Sequence, residues 1–211
     1  MKLEGLTINF LGDSITEGYG TTGPDKVFHQ VIEKDYKLKK AYNYGVGGTT
    51  IANQTNPSAS TIWDYNFCVR EDIMQKNADA VVVFGGTNDF GHGDAPFGKL
   101  DDNDNTTFCG GVNLLINKLK KDFPNAKIIF MTPLHRTNDD VPNTSNSKKL
   151  SDYVDAILNI CEKHNISVID LFNINPLDKE DKELLPDGLH PSDKGHIIMA
   201  KVIAEKLIKL D

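Results

Sequence analysis

The chain has 211 residues, enough for one domain with a sizeable core. A hydrophobic content of 39% and a charged content of 25% are ordinary for a globular protein. The formal net charge of −7 excludes the strongly basic face of a nucleic-acid binder, since the Lys-rich stretches are interleaved with Asp and Glu.

The first expected strand is the apolar run 6–11, which stops at Gly12-Asp13-Ser14. A helix is expected from about Pro24, using Val27, Phe28, Val31 and Ile32, and then a weaker strand at 41–43. That strand runs into Asn43-Tyr44-Gly45-Val46-Gly47-Gly48-Thr49-Thr50. Residues 54–63 carry no clear periodicity, and a further helix is expected around 67–74. Ala80-Val81-Val82-Val83-Phe84 is continuously apolar and β-branched, the pattern of a strand covered on both faces of a parallel sheet. Gly85-Gly86-Thr87-Asn88-Asp89 follows it, and 91–106 is again unassigned. Phe108, Val112, Leu115, Ile116, Leu119 and Phe123 repeat at three and four until Pro124 ends the helix. The strand at 127–131 leads into His135 and Arg136. A helix over Leu150 to Cys161, a strand at 166–170 and a final helix carrying Ile197 to Ile208 complete the chain.

Strands alternating with helices imply right-handed crossovers and a doubly wound α/β sheet of about five strands. Nothing marks a second domain, so 1–211 is read as one unit. In such a sheet ligands bind beyond the carboxyl ends of the strands. Polar groups fall there repeatedly: Ser14 after the first strand, the glycine block after the second, Asn88 after the third, and Asp187-Gly188-Leu189-His190 after the fifth. Their joint chemistry is acyl transfer. A serine hydroxyl needs a base, which His190 supplies, and His190 needs a carboxylate to fix its tautomer, which Asp187 supplies three positions earlier. Pro191 keeps His190 out of helical geometry, and Ser192 caps the last helix. The Ser14 and Gly48 N–H groups and the Asn88 amide are candidate oxyanion donors.

With these blocks in order, the sequence resembles the SGNH subgroup of the GDSL esterases and lipases. Gly12-Asp13-Ser14-Ile15 is similar to the first family block, with Ile15 in place of the usual leucine. Gly48, Gly86-Thr87-Asn88-Asp89 and Asp187-Gly188-Leu189-His190 are similar to the other three. The resemblance implies a three-layer α/β/α sandwich with a five-stranded parallel, flavodoxin-like sheet. It also implies Ser14 as nucleophile, Asp187 and His190 as its partners, Ser14, Gly48 and Asn88 as the oxyanion hole, and no cofactor or metal. Family substrates include short acyl esters, acetylated sugars, lysophospholipids and thioesters. The loops 54–63 and 91–106 are polar and acidic, so a small acyl group, such as acetyl, on a polar or carbohydrate alcohol is expected. A lysophospholipase or thioesterase, or an inactive carbohydrate-binding module of the same fold, is the alternative.

Rival patterns are weaker. Gly18-Tyr19-Gly20-Thr21-Thr22-Gly23 fits the dinucleotide fingerprint, but it starts too far past the strand and lacks the acidic residue after the second strand. Asp101-Asp102-Asn103-Asp104-Asn105 hints at a calcium loop without its central glycine or closing glutamate. His92 beside Asp89 and Asp94 has no second histidine at zinc-ligand spacing. His135 and Arg136 are candidate substrate contacts, and Trp63 and Tyr65 a candidate wall. Cys68, Cys109 and Cys161, scattered without a C-x-x-C pair, are expected to be reduced packing residues. No run approaches the roughly 20 apolar residues of a membrane span, and no signal core precedes the first strand, so a cytoplasmic location is expected.

Overall fold

Apolar runs become strands where helices can cover both of their faces. In the computed structural model, which describes residues 1–54 and 66–210, β1 (Thr7–Gly12), β2 (Lys40–Gly45), β3 (Ala80–Phe84), β4 (Lys127–Met131) and β5 (Ser167–Ile169) pair in parallel. Their order, β2-β1-β3-β4-β5, is flavodoxin-like. The expected strands at 80–84 and 127–131 match residue for residue. β2 is longer than its apolar core suggested, because an edge strand tolerates the polar Lys40, Asn43 and Tyr44.

Side chains alternate across the sheet into two apolar layers. Ile8, Phe10, Val82, Phe84, Ile129 and Met131 pack with residues of α2 (Phe28–Asp35) and α8 (Asp193–Lys209). Leu11, Val81, Val83, Ile128 and Phe130 pack with residues of α3 (Phe67–Arg70), α5 (Phe108–Asp122) and α6 (Leu150–Lys163) on the other face. All three cysteines are buried free thiols in this second layer. No helix among the described residues is long and apolar enough to cross a membrane.

Two expected helices differ in detail. Pro24–Lys26 is a 3₁₀ turn, and Val27 at φ −67°, ψ 138° is extended, so α2 starts only at Phe28. The expected 67–74 helix ends at Arg70 and tightens into a 3₁₀ turn over Glu71–Ile73. Three short helices, α1 (Ser14–Glu17), α4 (Thr87–Gly91) and α7 (Leu171–Ile174), follow β1, β3 and β5 directly. They carry too few residues for a periodic signal, yet two of them carry the site.

Candidate active site

Chain order reverses on either side of β1, so the carboxyl ends of β1 and β3 form the switch point at which sheets of this kind bind ligands. Ser14 stands there as the first residue of α1, and Asn88 lies in α4. The turn into α1 is tight enough to require glycine: a Cβ on Gly12 would lie 2.0 Å from Thr16 Oγ1, and one on Gly45 2.1 Å from the Glu17 nitrogen. Asp13 caps α1, its Oδ1 accepting the Ile15 N–H at 3.0 Å. Burial pushes the Asp13 carboxyl up to about 7, against the lowering by that N–H and by Arg70.

Ser14 Oγ lies 2.9 Å from His190 Nε2, across 176 positions of sequence. His190 Nδ1 lies 2.7 Å from Asp187 Oδ2. With Nδ1 protonated towards the carboxylate, Nε2 is free to accept from the serine hydroxyl. Asp187 Oδ1 also accepts the N–H groups of His190 at 2.7 Å and Leu189 at 2.9 Å. Partial burial works to raise the Asp187 carboxyl, but the His190 N–H and imidazole and the Leu189 N–H outweigh it and hold it at about 2. Gly188, at φ +79°, sits so close to the loop after β4 that a Cβ would lie 1.9 Å from Thr137 Oγ1. Ser192 caps α8, accepting the Gly195 N–H at 3.3 Å.

The glycine block folds over Ser14. A Cβ on Gly47 would lie 3.5 Å from Ser14 Cβ, and the Gly47 N–H donates to Glu17 Oε2 at 2.8 Å. Gly48 adopts φ +75°, and neither its N–H nor that of Ser14 donates to an acceptor among the described residues. Asn88 Nδ2 donates one hydrogen to Thr49 O at 2.9 Å, which leaves its second hydrogen for another acceptor. Two buried residues outside the expected set fasten these segments. The Arg70 guanidinium donates to Gly12 O at 2.9 Å, to Thr49 Oγ1 at 2.8 Å and to Tyr44 O, tying the ends of β1 and β2 to the glycine block. Asp89 accepts the N–H groups of Ile51 at 3.0 Å and Ala52 at 2.9 Å, while burial raises its carboxyl to about 6.

The sequence profile of the GDSL-like Lipase/Acylhydrolase family matches residues 10–198. The chain belongs to this family. The GDSL hydrolase is also similar to a solved structure from Lactobacillus plantarum, with 27% identity, 99% of each chain covered and a TM-score of 0.80. Two further similar structures, below 25% identity, speak to fold alone. Acetyl xylan esterase AlAXEase is 24% identical, with 96% of this chain and 100% of that one covered and a TM-score of 0.65. A two-domain esterase, CEX, active on acetylated mannans, is 22% identical, with 98% of this chain and 50% of that one covered and a TM-score of 0.66. No curated protein sequence matches the chain.

In this GDSL hydrolase the loop after β4 is committed to structure at several points. His135 Nδ1 lies 2.6 Å from Asp139 Oδ2, and its ring packs on Phe172 with centroids 3.8 Å apart. Arg136 Nη1 donates to Thr87 O and Oγ1, both at 3.1 Å, so it buttresses α4 one residue from Asn88. The G-x-G-x-x-G stretch follows α1 rather than a strand and serves as a brace. Tyr19 N–H donates to Ser14 O at 2.9 Å, and Thr22 donates to Asp193 Oδ1 at 2.9 Å from its backbone and to Oδ2 at 2.5 Å from its hydroxyl. Asp102 and Asp104 accept from their own loop: Lys99 N–H at 2.9 Å and Thr107 hydroxyl at 3.1 Å for the first, Thr106 N–H at 2.9 Å for the second. The acidic trio Glu71, Asp72 and Asp122 is ion-paired with Lys76 and Lys118. Trp63, Tyr65 and the loop beyond Gln54 lie outside the described residues.

Proposed function

We propose that the protein is a serine esterase that removes short acyl groups, acetyl above all, from a carbohydrate alcohol. Ser14 Oγ attacks the ester carbonyl while His190 Nε2 takes its proton. Asp187 holds the imidazole in register and balances its charge. The oxyanion of the tetrahedral intermediate sits among the Ser14 and Gly48 N–H groups and the free amide hydrogen of Asn88. His190 then returns the proton to the departing alcohol oxygen, the carbon–oxygen bond breaks, and an acyl-Ser14 ester remains. Water, deprotonated by the same imidazole, attacks that ester and releases the carboxylic acid and free Ser14.

The observation that carries this reading is the chain of contacts from Ser14 Oγ to His190 at 2.9 Å and from His190 to Asp187 at 2.7 Å. Support for a small acyl group on a sugar comes from the polar loop at 91–106 and from the acetyl xylan and acetylated mannan esterases of similar fold. Hydrolysis of p-nitrophenyl esters of increasing chain length, beside acetylated xylose, tests it. Ser14→Ala is expected to lower kcat on the acetyl ester by at least about 10³-fold. Wild-type turnover in that variant removes Ser14 from the mechanism, and peak activity at octanoyl or longer overturns the acetyl preference.

A further inference from the structure

The loop 18–23, which brings no chemistry of its own, carries an exposed aromatic side chain beside His190. Tyr19 is 62% exposed, and its ring packs against the His190 imidazole with centroids 4.5 Å apart and planes at 56°. The loop beneath it is firmly built. Tyr19 N–H is tied to Ser14 O, Thr21 donates to Gly18 O through its backbone at 3.1 Å and its hydroxyl at 2.7 Å, and Thr22 is held by Asp193. Gly18 and Gly20 adopt φ +103° and +91°, and a Cβ on Gly20 would crowd Pro191 O at 3.0 Å and His190 Cβ at 3.4 Å. An aromatic ring on a well-tied loop therefore lies against the His190 imidazole.

The mechanism says which side of the ester this ring meets. Nε2 of His190 must reach the departing oxygen, so the alcohol leaves past the imidazole, whereas the acyl oxygen lies with Gly48 and Asn88. A ring resting on His190 borders the alcohol side. The loop that carries the ring is polar, with Glu17, Thr21 and Thr22 beside it in sequence and Thr22 bonded to Asp193. A pyranose has what such a place can hold: a face of C–H groups to lie on an aromatic ring and a rim of hydroxyls for the polar border.

We infer that Tyr19 is the floor of the alcohol subsite, on which the pyranose ring of an O-acetylated sugar stacks while His190 protonates its oxygen. This rests on the sugar-ester reading above and names the residue that enforces it. The test compares kcat/KM for xylose tetraacetate with that for ethyl acetate, whose alcohol is too small to reach the ring. Tyr19→Ala is expected to cut the ratio of the two constants by about tenfold, chiefly through KM on the sugar ester, and Tyr19→Phe to keep it within about twofold. Thermal unfolding of each variant checks that the loop remains folded, and Tyr19→Leu repeats the comparison if Tyr19→Ala does not. A wild-type enzyme that prefers the sugar ester, with a ratio unmoved in Tyr19→Ala, overturns the subsite alone. A ratio near one in the wild type overturns the sugar reading itself. A ratio lost equally in Tyr19→Phe transfers the effect to the hydroxyl and also overturns the stacking.

Discussion

Asn88→Ala separates the structural role of one side chain from its proposed role as an oxyanion donor. The residue is 5% exposed and its Nδ2 donates to Thr49 O at 2.9 Å, so the truncation leaves a buried carbonyl without its donor. That loss costs the fold about 1–3 kcal/mol. The second amide hydrogen has a larger effect on rate, since removing one oxyanion donor typically raises the barrier by about 2.7–4 kcal/mol, or 10²–10³ in kcat. Because the donor acts on charge that develops only in the transition state, KM should stay close to wild type. The assay pairs steady-state hydrolysis of p-nitrophenyl acetate at 25 °C with urea unfolding of the same preparation. A variant that unfolds somewhat earlier but is fully folded in buffer, with kcat down by about two orders of magnitude, is the expected result. A kcat within threefold of wild type refutes the reasoning, because Asn88 would then be only a strut for the glycine block.

Arg70→Met leaves Gly12 O, Tyr44 O and Thr49 Oγ1 without their shared cation, and a loss of about 3 kcal/mol or more is expected in urea unfolding, together with a fall in kcat. Arg70→Lys is not expected to rescue either, because a point charge cannot span three acceptors; a lysine variant with wild-type midpoint and kcat would contradict this. Burial holds the His29 and His196 imidazoles down at about 4, so the unfolded chain takes up protons first as pH falls from 6.5. Their stabilisation is complete above that value and drains away towards pH 4, at about 1.4 kcal/mol per unit for each. Asp13 and Asp89 oppose the trend, since carboxyls raised to about 7 and 6 favour the fold as pH falls. His196→Gln should therefore lose less stability than wild type between pH 7 and 4.5, and parallel urea-midpoint profiles would show that His196 does not titrate on unfolding.

Much of the frame is legible in the residues because it is written in local patterns. The run Ala80 to Phe84 has the pattern of a doubly covered strand, and Ser192 announces the helix it caps. The polar blocks are legible for a different reason: three of them closely follow β1, β2 and β3, so parallel pairing delivers them to one end of the sheet, and the fourth, Asp187 to His190, lies beyond β5 and just ahead of α8. Arg70 and Asp89 could not be read the same way. Their partners, Gly12, Tyr44 and Thr49 for one and Ile51 and Ala52 for the other, are backbone or hydroxyl groups that no spacing rule marks as waiting for a charge. Tyr19 was visible only inside a motif suggestive of nucleotides, and its place against His190 depends on a contact spanning most of the chain. His135 and Arg136 do follow β4, but Asp139, Phe172 and Thr87 engage them, and only tertiary structure reveals such partners.

Asp187 and His190 share one short loop, where the carboxylate accepts from the His190 backbone and imidazole, while Ser14 belongs to the opposite end of the polypeptide. That pair can therefore assemble before Ser14 docks against it. When denaturant is diluted away, turnover should not return before the segment leading into α8 docks against the end of β1, so activity reports a long-range step of folding through the enzyme's own chemistry.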